Sequence, residues 1–340
     1  MPGVRDRGEQ IRRFILENVE THPADVVGLT AERFQISTQA VRVHLQRLRS
    51  QNLLAEEGTT SDRIYGLRIL DDWQKTYPLA SGLHEDEILD VDISGVIADL
   101  PQNVRSIWST AFTEIFNNVL DHSAATEASV EIRKTAISTQ MVIHDNGVGI
   151  FKKIQQARNL PDERYAIMEL SKGKFTTDPS KHTGEGIFFT SKMVDQFDIL
   201  SGGLYFTRKP NSQLDWVSEK FKNGTTVWMK LDNRSTREPK DVYDRFTEDF
   251  AFTKTAVPVK LAQVGSVGLV SRSQAKRILV GIDRFKVVSL DFTGVDWIGQ
   301  GFADEIFRVY QNAHPEMQFQ VEGANADVSA MIQRAKGGTI

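Results

Sequence analysis

Three short stretches in the middle of this 340-residue chain hold side chains of a kind and spacing that suit chemistry. In LPQNVRSIWSTAFTEIFNNVLDHS, Glu114, Asn118 and His122 fall at i, i+4 and i+8, on one polar edge of a helix. Trp108, Phe112, Ile115 and Val119 form its separate apolar stripe. On such an edge the Asn118 carbonyl oxygen suits Mg²⁺, and Glu114 suits the orientation or deprotonation of a nucleophile. The second stretch, Asp145-Asn146-Gly147-Val148-Gly149-Ile150, follows a strand-like STQMVIHD. A carboxylate there accepts from an exocyclic amine while alternating glycines let backbone approach a flat base such as adenine. Asp-Asn-Gly is equally the chemistry of a plain β-turn. In the third, polar residues 171–182 lead into Thr183-Gly184-Glu185-Gly186 and an apolar-periodic helix. Glycines just before a helix expose its first N–H groups to phosphate. The polar stretch reads either as a nucleotide lid, with Lys172, Lys174 and Lys181 as phosphate partners, or as an ordinary loop.

Occurring in this order, the three stretches resemble the N, G1 and G2 boxes of the GHKL superfamily of gyrase, histidine-kinase and mismatch-repair ATPases. The closer resemblance is to anti-sigma-factor serine kinases, whose N box also reads E-x-x-x-N-x-x-x-H, as Glu114, Asn118 and His122 do here. The resemblance implies an α/β sandwich binding ATP and Mg²⁺. By it, Asp145 reads adenine, Asn118 is the metal ligand and Glu114 the catalytic group. His122, Gly147, Gly149, Lys181, Thr183, Gly184 and Gly186 complete the nucleotide site. No helix pair suited to dimerisation and phosphoacceptance precedes this block, which disfavours a self-phosphorylating histidine kinase.

These residues must be held by a domain of their own, and polar breaks at 71–87 and 233–241 divide the chain. The expected organisation is a head at 1–70, a linker at 71–87, a nucleotide domain at 88–232, a linker at 233–241 and a tail at 242–340. In the head, helical patterns near 7–19, 25–34 and 37–50 precede two strands around a polar tip, the order of a winged helix-turn-helix. Ser37 is placed to cap the third helix, with Val41, Leu45 and Leu48 buried. Its other face offers Thr38, Gln39, Arg42 and Gln46 to base edges and phosphates, joined by Arg47, Arg49 and Arg63 of the second strand. Duplex DNA is the expected partner; a protein-docking face is the alternative.

The tail alternates strands and helices, which argues for a small sheet with crossover connections. VVSLDFTGVDWIGQGFADEIF resembles STAS domains, the partners of anti-sigma kinases. Where a phosphorylatable STAS partner carries serine, this chain has Gln300, which cannot form a phosphate ester. Ser271 and Ser273 lie nearby at a helix start, where serine is usually a cap. The tail therefore reads as a docking module for a protein partner.

Bulk properties narrow the rest. With 40% hydrophobic and 25% charged residues the chain is ordinary globular protein, and a net charge of −4 confines any DNA binding to a local patch. The absence of cysteine excludes disulfides, thiol catalysis and thiolate zinc. The seven histidines show no helical metal-pair spacing, and neither a signal peptide nor a membrane span is legible. A soluble, cytoplasmic bacterial protein is the expectation, an α/β multidomain chain of winged helix-turn-helix, GHKL sandwich and STAS-like domain. Its expected role is an ATP-controlled regulator, a serine/threonine kinase acting on a separate partner being the alternative. Homodimerisation follows if the head reads two half-sites.

Overall fold

The computed structural model describes residues 4–59, 62–79, 82–174, 184–207, 223–249, 251–263 and 268–337. The head comprises helices α1 (Val4–Asn18), α2 (Val26–Phe34) and α3 (Thr38–Ser50), then strands β1 (Leu54–Glu57) and β2 (Ile64–Leu67). Ser37 caps α3, its side chain accepting from the Ala40 N–H at 3.1 Å. Gln35, in the left-handed region at φ 51°, ends α2 and turns the chain toward it. Val41, Leu45 and Leu48 of α3 then pack with Ile15 of α1 and Val26 of α2 in a small core.

The central layer begins earlier than composition suggests. Asp71–Pro78, expected within a linker, is instead strand β3, paired along its length with β4 (Glu127–Lys134). Its many charges hide an edge strand whose one deeply buried side chain, Tyr77, meets Phe116 edge-on at 5.8 Å. Helices α4 (Glu85–Ile88) and α5 (Ser94–Val96), joined by a π turn, lead to α6 (Gln102–His122). After β4 come β5 (Ser138–Asp145), α7 (Ile150–Arg158), α8 (Arg164–Lys172), α9 (Gly186–Met193), β6 (Gln196–Ser201), β7 (Leu204–Thr207) and β8 (Thr225–Asp232).

The sheet has six antiparallel strands in the order β3-β4-β5-β8-β6-β7. FKNGTTVWMKL, which reads as hairpin-like, supplies β8, an interior strand between β5 and β6. Period-two alternation puts Met141 and Ile143 of β5 on the same buried face as Val227 and Met229 of β8, and α6 covers that face.

The tail follows as α10 (Pro239–Phe246), the short strands β9 (Thr247–Glu248) and β10 (Ala251–Phe252), β11 (Lys254–Pro258), α11 (Arg272–Leu279) and β12 (Val287–Asp291). It ends with α12 (Gln300–Asp304), a π turn into α13 (Gln311–Ala313), β13 (Gln318–Glu322) and α14 (Ala326–Ala335). Strands β11, β12 and β13 form a parallel sheet, as crossover helices require. Ser271 forms a full capping box with Gln274, so its hydroxyl serves the start of α11.

The second expected linker is also structured. α10 starts with Pro239, and its Tyr243 and Phe246 enter an aromatic cluster with Phe188 and Phe189 of α9 and Phe252 of β10. Through this cluster the central domain and the tail share one continuous apolar core. The head keeps a core of its own, against which, among the described residues, the apolar side chains Ala136 and Ile137 of the β4–β5 turn pack from outside. No helix among the described residues is long and apolar enough to cross a membrane.

Candidate functional site

A single concavity collects the central chemistry-bearing residues. It runs along α6 from Glu114 past Asn118 to His122, about 12 Å of helix at 1.5 Å per residue. Asp145 and Thr225 lie on its floor, and Gly149, Gly184 and Gly186 border it. Ile115, Ile143, Ile150, Leu170 and Phe188 give it apolar walls, and this combination of apolar surface with a few convergent polar groups is typical of a ligand site.

Strand register builds the floor. Asp145 sits opposite Thr225, which sits opposite Ser201, so three polar residues form one row at the end of three strands. Asp145 is 3% exposed, and its Oδ1 accepts the Gly147 N–H at 2.9 Å. Burial pushes its carboxyl above the ordinary range, opposed by the Gly147 N–H, His144 and Thr225.

Glycine is required here by close approach of the protein to itself. A methyl group at Gly147 would strike the Ser123 carbonyl, and one at Gly149, at φ +87°, would lie 2.6 Å from the Ser201 Oγ. Gly147 thus supports the site from behind while Gly149 borders it. At Gly186 the added carbon would run into the Glu114 carboxylate, which shows how tightly the N-terminus of α9 meets α6. Gly224 escapes a reading of the three stretches: at φ +76° it brings the start of β8 against the Asp145 carbonyl.

The Asn118 amide nitrogen donates to the Glu114 carbonyl at 2.6 Å. That turns the carboxamide oxygen away from its own helix, the orientation a hard cation needs from this side chain. Asn118 with the neighbouring Glu114 carboxylate therefore fits Mg²⁺ in donor type.

Lys153 is a further pocket residue that motif spacing misses, one turn into the helix that follows Gly149. Its Nζ donates to the His122 carbonyl at 2.5 Å, and desolvation lowers its pKa while Asp121 opposes the shift. Tyr243 of α10 also belongs to the surroundings: burial raises its pKa, and the charges of Glu114 and Glu185 add to the rise.

Two expected phosphate partners point elsewhere. Lys172 is fully buried at the tail, and Lys174 donates to the Arg284 carbonyl at 3.3 Å and lies over the Phe252 and Phe285 rings. Both are drawn away because α8 ends against the tail. Lys181 and Thr183 fall outside the described residues.

In the head, Thr38, Gln39, Arg42 and Gln46 are all exposed on α3, beside Val43 at 64% exposure. Arg47 is one residue out of phase with them and lines a cleft shared with Arg12, Ile137 and Asp232. Arg49 and Arg63 both pair with Glu56, which leaves one net positive charge among the three.

Residues 104–235 match the family described as Histidine kinase-, DNA gyrase B-, and HSP90-like ATPase. Residues 274–329 match the STAS-like domain of unknown function (DUF4325). No curated protein matches the chain. The chain thus carries a GHKL-superfamily ATPase domain and a STAS-like domain within a mixed α/β multidomain fold.

Proposed function

We propose that this protein is an ATP-dependent regulator in which Mg-ATP in the central pocket controls what the head and tail bind. The observation that carries the reading is the convergence of Glu114, Asn118, His122, Asp145, Gly149, Gly184 and Gly186, distant in sequence, on one cavity. Asp145 accepts from the adenine amine, the row below it sets the depth of the base, and the N–H groups at the start of α9 face the phosphates. Asn118 would hold Mg²⁺, which when bound would neutralise charge on the phosphate oxygens. Glu114 then orients or deprotonates the attacking group, water for hydrolysis or a hydroxyl for transfer.

The head acts as a winged helix-turn-helix on duplex DNA, with Thr38, Gln39, Arg42 and Gln46 toward the groove and Arg47, Arg49 and Arg63 at its margins. The helix order and the open face of α3 support this assignment. The domain limits that serve it are a head through residue 70, a nucleotide domain from 71 and a tail from about 239. A cytoplasmic setting, a homodimer on two half-sites and a protein partner for the tail complete the proposal.

The second reading, an anti-sigma-type serine/threonine kinase, is favoured by Glu114 at the pocket edge. With Gln300 at the start of α12, it requires a hydroxyl from a separate protein.

Titration of a fluorescent ATP analogue with Mg²⁺ tests the core claim. Wild type is expected to bind, while folded Asn118→Ala and Asp145→Ala variants lose at least tenfold in affinity; equal binding by all three overturns the pocket. Phosphate release that disappears in Glu114→Ala identifies an ATPase, and label transferred to a lysate protein identifies the kinase. Gel shifts on random genomic DNA with and without ATP test the coupling to the head, and unchanged affinity removes that part.

A further inference from the structure

α8 forms a pocket wall through Leu170, and two residues later it enters the tail. Lys172 has no exposed surface. Its ammonium lies 2.6 Å from the Glu169 Oε1 and donates to the carbonyls of Arg277 at 3.0 Å and Val280 at 2.8 Å. Those carbonyls close the C-terminus of α11, the negative end of a tail helix. The three acceptors match the three hydrogens of an ammonium, so every donor of this buried lysine is satisfied at the interface. Desolvation drives its pKa down, and Glu169 opposes that.

The backbone around it is held as well. Thr255 Oγ1 of β11 donates to the Lys172 carbonyl at 2.6 Å, and Arg284 Nη1 donates to the Lys174 carbonyl at 2.7 Å. Between them Gly173, at φ +74°, lies so close to Phe252 that an added Cβ would stand 2.8 Å from the ring.

One feature of the junction is unfinished. Arg284 Nε and Nη2 are buried with no acceptor among the described residues, and the charge of Glu169 acts on both Lys172 and Arg284, joined at Arg284 by Asp283. A buried donor left unpaired is costly, which makes this the least satisfied part of the junction. On the pocket side Phe188, a wall residue, packs on Phe252 with ring centroids 4.7 Å apart. Two walls of the pocket, from α8 and α9, are thus backed by the tail.

We propose that Lys172 is a positioning residue through which the STAS-like tail regulates the nucleotide pocket, so that nucleotide occupancy and the seating of α11 change together. The inference rests on the pocket being the nucleotide site. Coupling of this kind is reciprocal: whatever loosens α11 weakens nucleotide binding, and nucleotide steadies α11. Any partner that docks on the tail and shifts α11 acts on the pocket without touching it.

The test uses the full chain, a fluorescent ATP analogue with Mg²⁺, and amide hydrogen exchange over residues 272–280. In wild type, Mg-ATP slows exchange there. Lys172→Met raises the Kd about tenfold, within the roughly 5–150-fold span of ordinary coupling, and abolishes the protection. Thr255→Val, which removes the hydroxyl that donates to the Lys172 carbonyl and keeps a β-branched side chain, gives a smaller rise of about threefold and decides the matter if Lys172→Met does not fold. A wild type that binds without slowing exchange at 272–280, or folded variants that bind and protect as wild type does, overturns the coupling and leaves the pocket standing. A wild type that binds no nucleotide overturns the pocket reading and the coupling with it.

Discussion

Where the central domain meets the tail, Phe188 and Phe189 of α9 pack on Phe246 and Phe252, and Lys172 is buried with its partners. Where it meets the head, the contact is a turn, Ala136 and Ile137, laid against a separate core. That contact is flanked by ion pairs open to water, Lys230 with Glu20 at 2.9 Å and Arg13 with Asp232 at 3.9 Å. The first junction removes aromatic area and charge from solvent together; the second removes little of either. The same sheet serves both ends, with the row of Asp145, Thr225 and Ser201 at the pocket and Ser138 opposite Asp232 near the head. Sequence neighbours thus differ in how much they can feel a ligand: the tail is built into the pocket wall, while the head leans on the far end of a stiff sheet.

The largest expected effect lies at the tail. Phe252→Ala deletes a 2% exposed ring from the shared cluster and should destabilise by about 3–5 kcal/mol. Calorimetry should show a single transition for centre and tail moving down together. Two transitions, with only one displaced, would break the claim of a common core.

Next comes acidity in the pocket between the junctions. Asp145 has a raised pKa, so the folded protein holds its proton more tightly than the unfolded chain does. Its contribution to stability is therefore present below the unfolded pKa and lost as pH rises through the folded one. If Asp145 accepts from the adenine amine as proposed, the ligand needs the ionised form, so acidification weakens nucleotide binding without unfolding the domain through this residue. Affinity should fall about tenfold per pH unit below the raised pKa, beginning at a higher pH than an ordinary carboxylate would give. Asp145→Asn should bind weakly and without that step; a wild-type profile flat through the range rules out the carboxylate as base reader.

At the head, Ile137→Ala trims a half-buried contact and should cost about 1–2 kcal/mol, below the range for a fully buried isoleucine. Hydrogen exchange should rise in α1 and α3 and stay unchanged in the tail; faster exchange in α11 would show the two junctions to be linked. The smallest effect belongs to Lys230→Ala. Its ion pair is partly exposed, so the loss should not exceed about 1 kcal/mol and should fade in high salt, read from denaturant midpoints.

Much of the molecule follows from local pattern. The alternation in β5 and β8, the capping residues Ser37 and Ser271, and the strand-helix rhythm of the tail are written in short windows. The trio on α6 was legible for the same reason: helical spacing alone puts Glu114, Asn118 and His122 along one edge. Asp71–Pro78 was not legible, since an edge strand with charged side chains has the composition of a linker. α10 was hidden likewise, its meaning depending on the aromatic partners Phe188 and Phe189, far earlier in the chain in α9.

The sequence by itself determined which residues share a helix face, where helices start, and which glycine-flanked carboxylate ends a strand, because these depend on backbone periodicity and near neighbours. Only the tertiary structure decided where a flexible side chain spends its charge. Lys172 and Lys174 look like phosphate ligands in a lysine-rich stretch, yet they serve the tail, while Lys153 in an unremarked helix lines the pocket. A lysine reaches several ångströms on four carbons, so its partner is set by what the fold brings within range of the ammonium, and that is fixed by residues far away along the chain.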